Sequence, residues 1–172
     1  MKIHPALSVT FVDNHDSQLG QALESWVEPW FKESAYGIIL LRKEGYPCVF
    51  YGDYYGTGGD NPQAGLKDKI EKLTKIRRAF AYGDQDDYFE SASSIGWVRH
   101  GDEHHPQKSA VIISIGDMAT IRMFVGLEEA GKVYADYTGN NENNINIDEE
   151  GYGAFEVGPG SLSVWIEDGK EF

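Results

Sequence analysis

Apolar and polar positions alternate in blocks along the first half of the chain. Ala6–Val12 is a short β-branched and apolar run that ends in the polar cluster Asp13-Asn14-His15-Asp16. That pattern predicts a buried strand delivering polar groups to a loop at its C-terminal end. A helix is predicted over about Pro29–Lys43, with Pro29 in its first turn, Trp30, Tyr36, Ile38, Ile39 and Leu41 on a wide apolar face, and Gly45 as its stop. A second apolar run, Tyr46–Tyr51, ends in Gly52-Asp53, and the Gly-, Asp-, Asn- and Pro-rich stretch Gly56–Gly65 reads as a loop. Leu66, Ile70, Leu73, Ile76 and Phe80 then recur at helical spacing with Lys67, Asp68, Lys69, Glu71 and Lys72 outside them, and this helix is predicted to end near Tyr82-Gly83.

From Asp84 the pattern changes to short strand-like runs: Tyr88–Glu90, Ile95–Arg99, Ala110–Ser114, Thr120–Val125, Lys132–Tyr137, Ile145–Ile147, Ala154–Val157 and Ser161–Ile166. Alternation is strict in the last of these, and Gly, Asn, Asp and Pro separate them, as in an antiparallel sandwich of about eight strands. A boundary is expected near Gly83, giving residues 1–83 and 84–172 as two units. The strand–helix–strand–helix order of the first implies parallel strands with helices packed on them. Two such units cannot close an eight-stranded barrel, which takes about 250 residues, but they could form its last quarter. The predicted fold is therefore α/β plus all-β, the end of a (β/α)8 barrel followed by an antiparallel sandwich.

Charge narrows the choice of partner. The 172 residues carry 28 acidic and 15 basic side chains, a net −13, and such a surface repels phosphate backbones, so nucleic acid is excluded as the expected partner. A neutral polymer such as a polysaccharide suits it better, although acidity also serves solubility. With 41% hydrophobic and 25% charged residues the composition is that of a soluble globular chain, and no run of about 18 apolar residues is present to span a bilayer. Cys48 lies in an apolar run and is read as a buried structural thiol. One cysteine makes no intrachain disulfide and leaves the compartment open. Met1–Pro5 has no apolar signal-peptide core. A Met followed so soon by a strand and a polar, active-site-like loop is what a truncated chain would show.

His15 and Asp16 are the main candidates for chemistry, since loops after strand C-termini carry the catalytic groups of such barrels. A second loop of the same kind is expected at Gly52–Gly56, presenting Asp53 beside Tyr54 and Tyr55. Taken from pattern alone, a turn with local hydrogen bonds is the favoured reading of His15-Asp16, and a turn cap that of Asp53. A metal pair is less favoured because no third ligand lies at a suitable spacing. Trp26, Trp30, Tyr54 and Tyr55 are read either as sugar-stacking or as core aromatics. His100, His104 and His105, with Asp102 and Glu103, read as a solvated hairpin loop or an adventitious metal site.

Phe11-Val12-Asp13-Asn14-His15-Asp16 resembles the fourth conserved region of the α-amylase family, glycoside hydrolase family 13. Gly45–Asp53 resembles that family's eighth-strand motif, Glu24–Gly56 is similar to the bacterial liquefying and intracellular α-amylases, and Gly160–Trp165 to their final strand. The resemblance implies a retaining hydrolase of α-1,4-glucans such as starch, glycogen and maltooligosaccharides, with a Greek-key C-terminal sandwich. It maps the third family carboxylate, a transition-state stabiliser, onto Asp16, and a sugar-binding histidine onto His15. It places the nucleophile and the general acid after strands this chain does not contain, so negligible turnover is expected of the chain alone. Asp13 and Asn14 become supports of the loop. The family uses calcium, bound largely by an inserted domain that is missing here. A second calcium site of some relatives would need acidic residues where Tyr88–Ser94 offers few beyond Glu90, so no metal ligand is assigned. Self-association through exposed barrel edges is expected. A stand-alone carbohydrate-binding or structural module is the competing reading of the sandwich half.

Overall fold

The computed structural model describes residues 4–89 and 91–170. Glu90, the last residue of the first predicted sandwich strand, lies outside them. Strands β1 (Val9–Thr10) and β2 (Tyr46–Pro47) pair in parallel, with Val9 opposite Tyr46 and Thr10 opposite Pro47. The helix α1 (Pro29–Leu41) crosses between them, as a parallel connection requires. Both strands are far shorter than the apolar runs that contain them. Pro5–Leu7 is a 3-10 turn with proline at its first position. Among the described residues β1 and β2 hydrogen-bond only to each other, and a strand extends only as far as a neighbour satisfies its backbone. The expected burial fails for the same reason: Val9 is 62% and Tyr46 73% exposed, and Cys48, read as a buried thiol, is exposed.

After β2 the predicted loop at Gly52-Asp53 is a short helix, α2 (Tyr51–Tyr55). A small hairpin of β3 (Gly56–Thr57) and β4 (Gln63–Ala64) follows, then α3 (Lys67–Phe80). The stripe predicted for α3 is its buried face: Ile70, Leu73, Ile76 and Phe80 are each at most 2% exposed. α1 buries Tyr36, Ile39, Leu40 and Leu41, whereas Trp30, assigned to its apolar face, is 56% exposed. Arginines satisfy the last carbonyls of α1, which have no partner within the helix. Arg77 donates to Leu40 O, and Arg99 Nη1 donates to Leu41 O at 3.1 Å. Burial, with Arg77 nearby, lowers the Arg99 guanidinium to about 10, still a cation at neutral pH and favourable at a helix C-terminus. No helix of the described residues is long and apolar enough to cross a membrane.

Eight strands follow, as predicted, with shifted ends: β5 (Gln85–Tyr88), β6 (Ser94–Arg99), β7 (Ser109–Ser114), β8 (Ala119–Phe124), β9 (Val133–Asp136), β10 (Ile145–Asn146), β11 (Tyr152–Val157) and β12 (Leu162–Glu167). Six of them form one antiparallel sheet in the order β10-β9-β12-β7-β6-β5, and β8 pairs with β11 in a second layer. Val98, Ala110, Ile112 and Trp165 meet Ile121, Met123, Phe155 and Val157 between the layers. The opposite face of the large sheet, with Trp97, Val111, Ile113, Leu162, Val164 and Ile166, shares a second core with α1 and α3. The alternation of Ser161–Ile166 therefore separates two buried faces rather than a dry and a wet one, and Ser163 is fully buried.

The predicted boundary residue Gly83 lies where the helical half meets the sheet. Its φ is +73°, it bridges to Gly101, and a Cβ added there would lie 1.6 Å from Gly101 O. Left-handed backbone costs a side chain about 1–3 kcal/mol, and here steric overlap with fixed backbone adds to that. Gly83→Ala is expected to lower the unfolding free energy by at least about 1–3 kcal/mol, and the denaturation midpoint with it. A urea titration followed by circular dichroism checks it, and an unchanged midpoint would contradict this close backbone approach.

Candidate active site

The polar cluster after β1 divides into a buried anchor and an exposed tip. Asp13 is 2% exposed, and its Oδ1 accepts the Val27 N–H at 2.9 Å, closing a loop of fourteen positions. Its Oδ2 lies 2.7 Å from the Lys32 ammonium on α1. Asn14 folds the tip: its Oδ1 accepts the N–H groups of Asp16 at 2.8 Å and Ser17 at 3.0 Å, and its own N–H donates to Ser17 Oγ at 3.1 Å. Local side-chain to backbone bonds of this kind suit Asn in a turn. The local-turn reading and the support role expected of Asp13 and Asn14 both describe this geometry.

His15 and Asp16 ride on the tip. Their side chains are 82% and 62% exposed, and Nε2 of His15 lies 3.4 Å from Oδ1 of Asp16. Both are open to a ligand. Asp53 is different from what its position predicted. It is 3% exposed, pairs with Lys32, and accepts the Tyr36 hydroxyl at 2.8 Å, so it is not a carboxylate presented by a mouth loop. Burial, then the bond to Asp53, pushes the Tyr36 hydroxyl well above its ordinary value and keeps it a donor. Sequence reasoning missed Lys32, because a lysine on a helix reads as a solvated position. The usable signal was its place one turn before Tyr36, on the face that Tyr36 buries.

The candidate aromatics separate as well. Trp26 is half-buried with the Lys32 ammonium 5.8 Å from its ring centroid. Tyr54 packs against the helical core and donates to Glu71. Trp30 and Tyr55 are exposed at 56% and 60%. The histidines after β6 are engaged locally: His100 bonds Asp86 at 2.8 Å, His105 stacks on Tyr82 at 3.7 Å, and Asp102 accepts the backbone N–H of both His104 and His105. Among the described residues no three His, Cys, Asp or Glu side chains converge as a metal would require. Calcium takes six to eight oxygen ligands, and the described residues bring no such cluster of carboxylates together.

Comparison with known proteins agrees with the arrangement. A family model described as α-amylase C-terminal matches residues 113–166, the stretch from β7 to β12. The chain is 51% identical over 167 residues to an α-amylase of Geobacillus stearothermophilus, covering 96% of this chain and 30% of that one. It is 47% identical to a glucan 1,4-alpha-maltohexaosidase of Bacillus sp. (strain 707), covering 95% and 32%, and 37% identical to the cytoplasmic α-amylase of Escherichia coli (strain K12), covering 94% and 34%. The chain spans about a third of the length of these relatives. In fold it resembles an Anoxybacillus α-amylase with a TM-score of 0.67 at 18% identity, over 98% of this chain and 40% of that one. It likewise resembles the Geobacillus thermoleovorans α-amylase solved with acarbose, with a TM-score of 0.64 at 17% identity, over 95% and 39%. Along nearly its whole length the chain therefore matches the C-terminal portion of α-amylases, and residues 113–166 match that family's C-terminal model.

Proposed function

We propose that the chain supplies the end of the catalytic barrel, residues 1–83, and the C-terminal sandwich, residues 84–172, of an enzyme that hydrolyses α-1,4-glucans with retention. The observation that carries this is the exposed His15-Asp16 tip at the C-terminal end of a parallel strand, held from below by the buried Asp13. In this reading Asp16 binds ring hydroxyls of the sugar whose bond breaks, and its hydrogen bonds tighten as the ring flattens toward an oxocarbenium ion. His15 donates a further bond to the same sugar. The nucleophile and the acid that protonates the leaving oxygen come from strands outside this chain. The exposed Val9, Phe11 and Tyr46 support contact between the β1–β2 pair and the remaining barrel strands.

The chain alone is expected to release no reducing ends from soluble starch above background, because Asp16 cannot replace the covalent step. A reducing-end assay on purified chain tests this. Turnover near that of a complete α-amylase, abolished by Asp16→Asn, would show that the chain carries its own nucleophile and acid.

A further inference from the structure

We propose that Lys32 is a positioning residue for the loop that carries His15 and Asp16, an inference that rests on the proposed role of Asp16. Asp13 follows the parallel strand β1 and Asp53 lies in α2, the short helix that follows β2, and each is at most 3% exposed. The strands themselves pair over two residues, too few to fix the loops beyond them. Lys32, 9% exposed, reaches both carboxylates from the second turn of α1, with Asp13 Oδ2 at 2.7 Å. One turn later Tyr36 donates to Asp53 Oδ2 at 2.8 Å and accepts the Phe50 N–H at 3.3 Å. A single cation thus ties the loop after β1 and the helix after β2 to one face of α1.

The energetics favour a role in geometry. Desolvation pulls the Lys32 ammonium down, but hydrogen bonds and charge from Asp13 and Asp53 outweigh it, and its pKa stands above the ordinary value. Buried ion pairs of this kind are often replaceable by apolar side chains without loss of stability, so stability alone gives little reason for one. What an apolar replacement cannot do is hold two carboxylates at set positions. Asp13 is the residue next to Asn14, whose side chain folds the tip, and its other oxygen holds Val27 at the far end of the loop. Lys32 is too buried to touch a substrate itself.

Two measurements test the proposal. On the 172-residue chain, Lys32→Met is expected to speed hydrogen exchange of the Val27 amide about tenfold or more, with the sheet amides of Val111 and Val164 unchanged. Should Lys32→Met fail to fold, Lys32→Gln, which keeps much of the stem and a polar donor but removes the charge and leaves the Asp13–Val27 bond in place, carries the same comparison. In an α-amylase whose C-terminal portion is replaced by this chain, either variant should lower kcat about tenfold or more with KM nearly constant. Lys32→Arg should recover part of the loss, and either variant should add little to Asp16→Asn, because both act through the same carboxylate. Unchanged Val27 exchange, or kinetic losses that add fully to those of Asp16→Asn, would overturn the proposal. Normal kcat in Asp16→Asn would instead overturn the role of Asp16, and the exchange result would still decide whether Lys32 holds the loop.

Discussion

In an α-amylase containing this segment, Asp16→Asn is expected to lower kcat by about a hundredfold or more while KM changes only a few-fold. Hydrogen bonds to ring hydroxyls that strengthen in the transition state supply several kcal/mol, and each 1.4 kcal/mol or so is tenfold in rate. Loss of interactions made mainly in the transition state appears in kcat, not in KM. Folding should survive, because the side chain of Asp16 is 62% exposed and that of its neighbour His15 is 82% exposed. The turn is built from Asn14 and the backbone N–H of residue 16, which Asn at that position retains. His15→Ala should cost less, since one hydrogen bond to the sugar is lost rather than the carboxylate that faces the flattening ring. Steady-state kinetics on amylose, with melting curves for both variants, provide the check. Near-normal kcat in a well-folded Asp16→Asn would remove Asp16 from the catalytic set.

Legibility in the sequence followed the range of the interactions involved. The α3 stripe and all eight sandwich strands are local patterns of period 3.6 or 2, and they appear in the structure within a few residues of where the pattern puts them. Burial depends on what lies opposite, which a single segment does not record. Val9 in β1 and Cys48 just after β2 sit in apolar runs, yet among the described residues each of those strands has a single neighbour, and both side chains are exposed. Ser163 sits at a polar alternation position, yet layers cover both faces of its sheet, so it is buried. In the candidate site His15 and Asp16 are singled out by resemblance to an ordered motif, which local periodicity does not supply. The burial of Asp53 is not foreseen and Lys32 is missed, because an ion pair twenty-one positions apart leaves no periodic trace.

Removing residues 1–83 is expected to abolish the monomeric sandwich, although its strands lie entirely beyond Gly83. The large sheet needs cover on two faces. β8 and β11 cover one; α1 and α3 cover the other, where Trp97, Val111, Ile113, Leu162, Val164 and Ile166 are each at most 2% exposed. Gly37 shows how close that cover is, since a Cβ there would come within 2.9 Å of Leu162 Cδ2. Burying a side chain of this size contributes about 1.5–3 kcal/mol, so uncovering the face forfeits on the order of 10 kcal/mol, comparable to the roughly 5–15 kcal/mol that holds a whole domain together. An exposed apolar sheet face of six such residues also invites association. The fragment 84–172 should therefore sediment as oligomers, or unfold on dilution, while the 172-residue chain keeps its cooperative transition. Leu162→Ala in the whole chain tests the same contact more gently, with an expected loss of about 2–5 kcal/mol. A monomeric 84–172 fragment with the denaturation midpoint of the whole chain would show that the helices rest on the sheet without stabilising it.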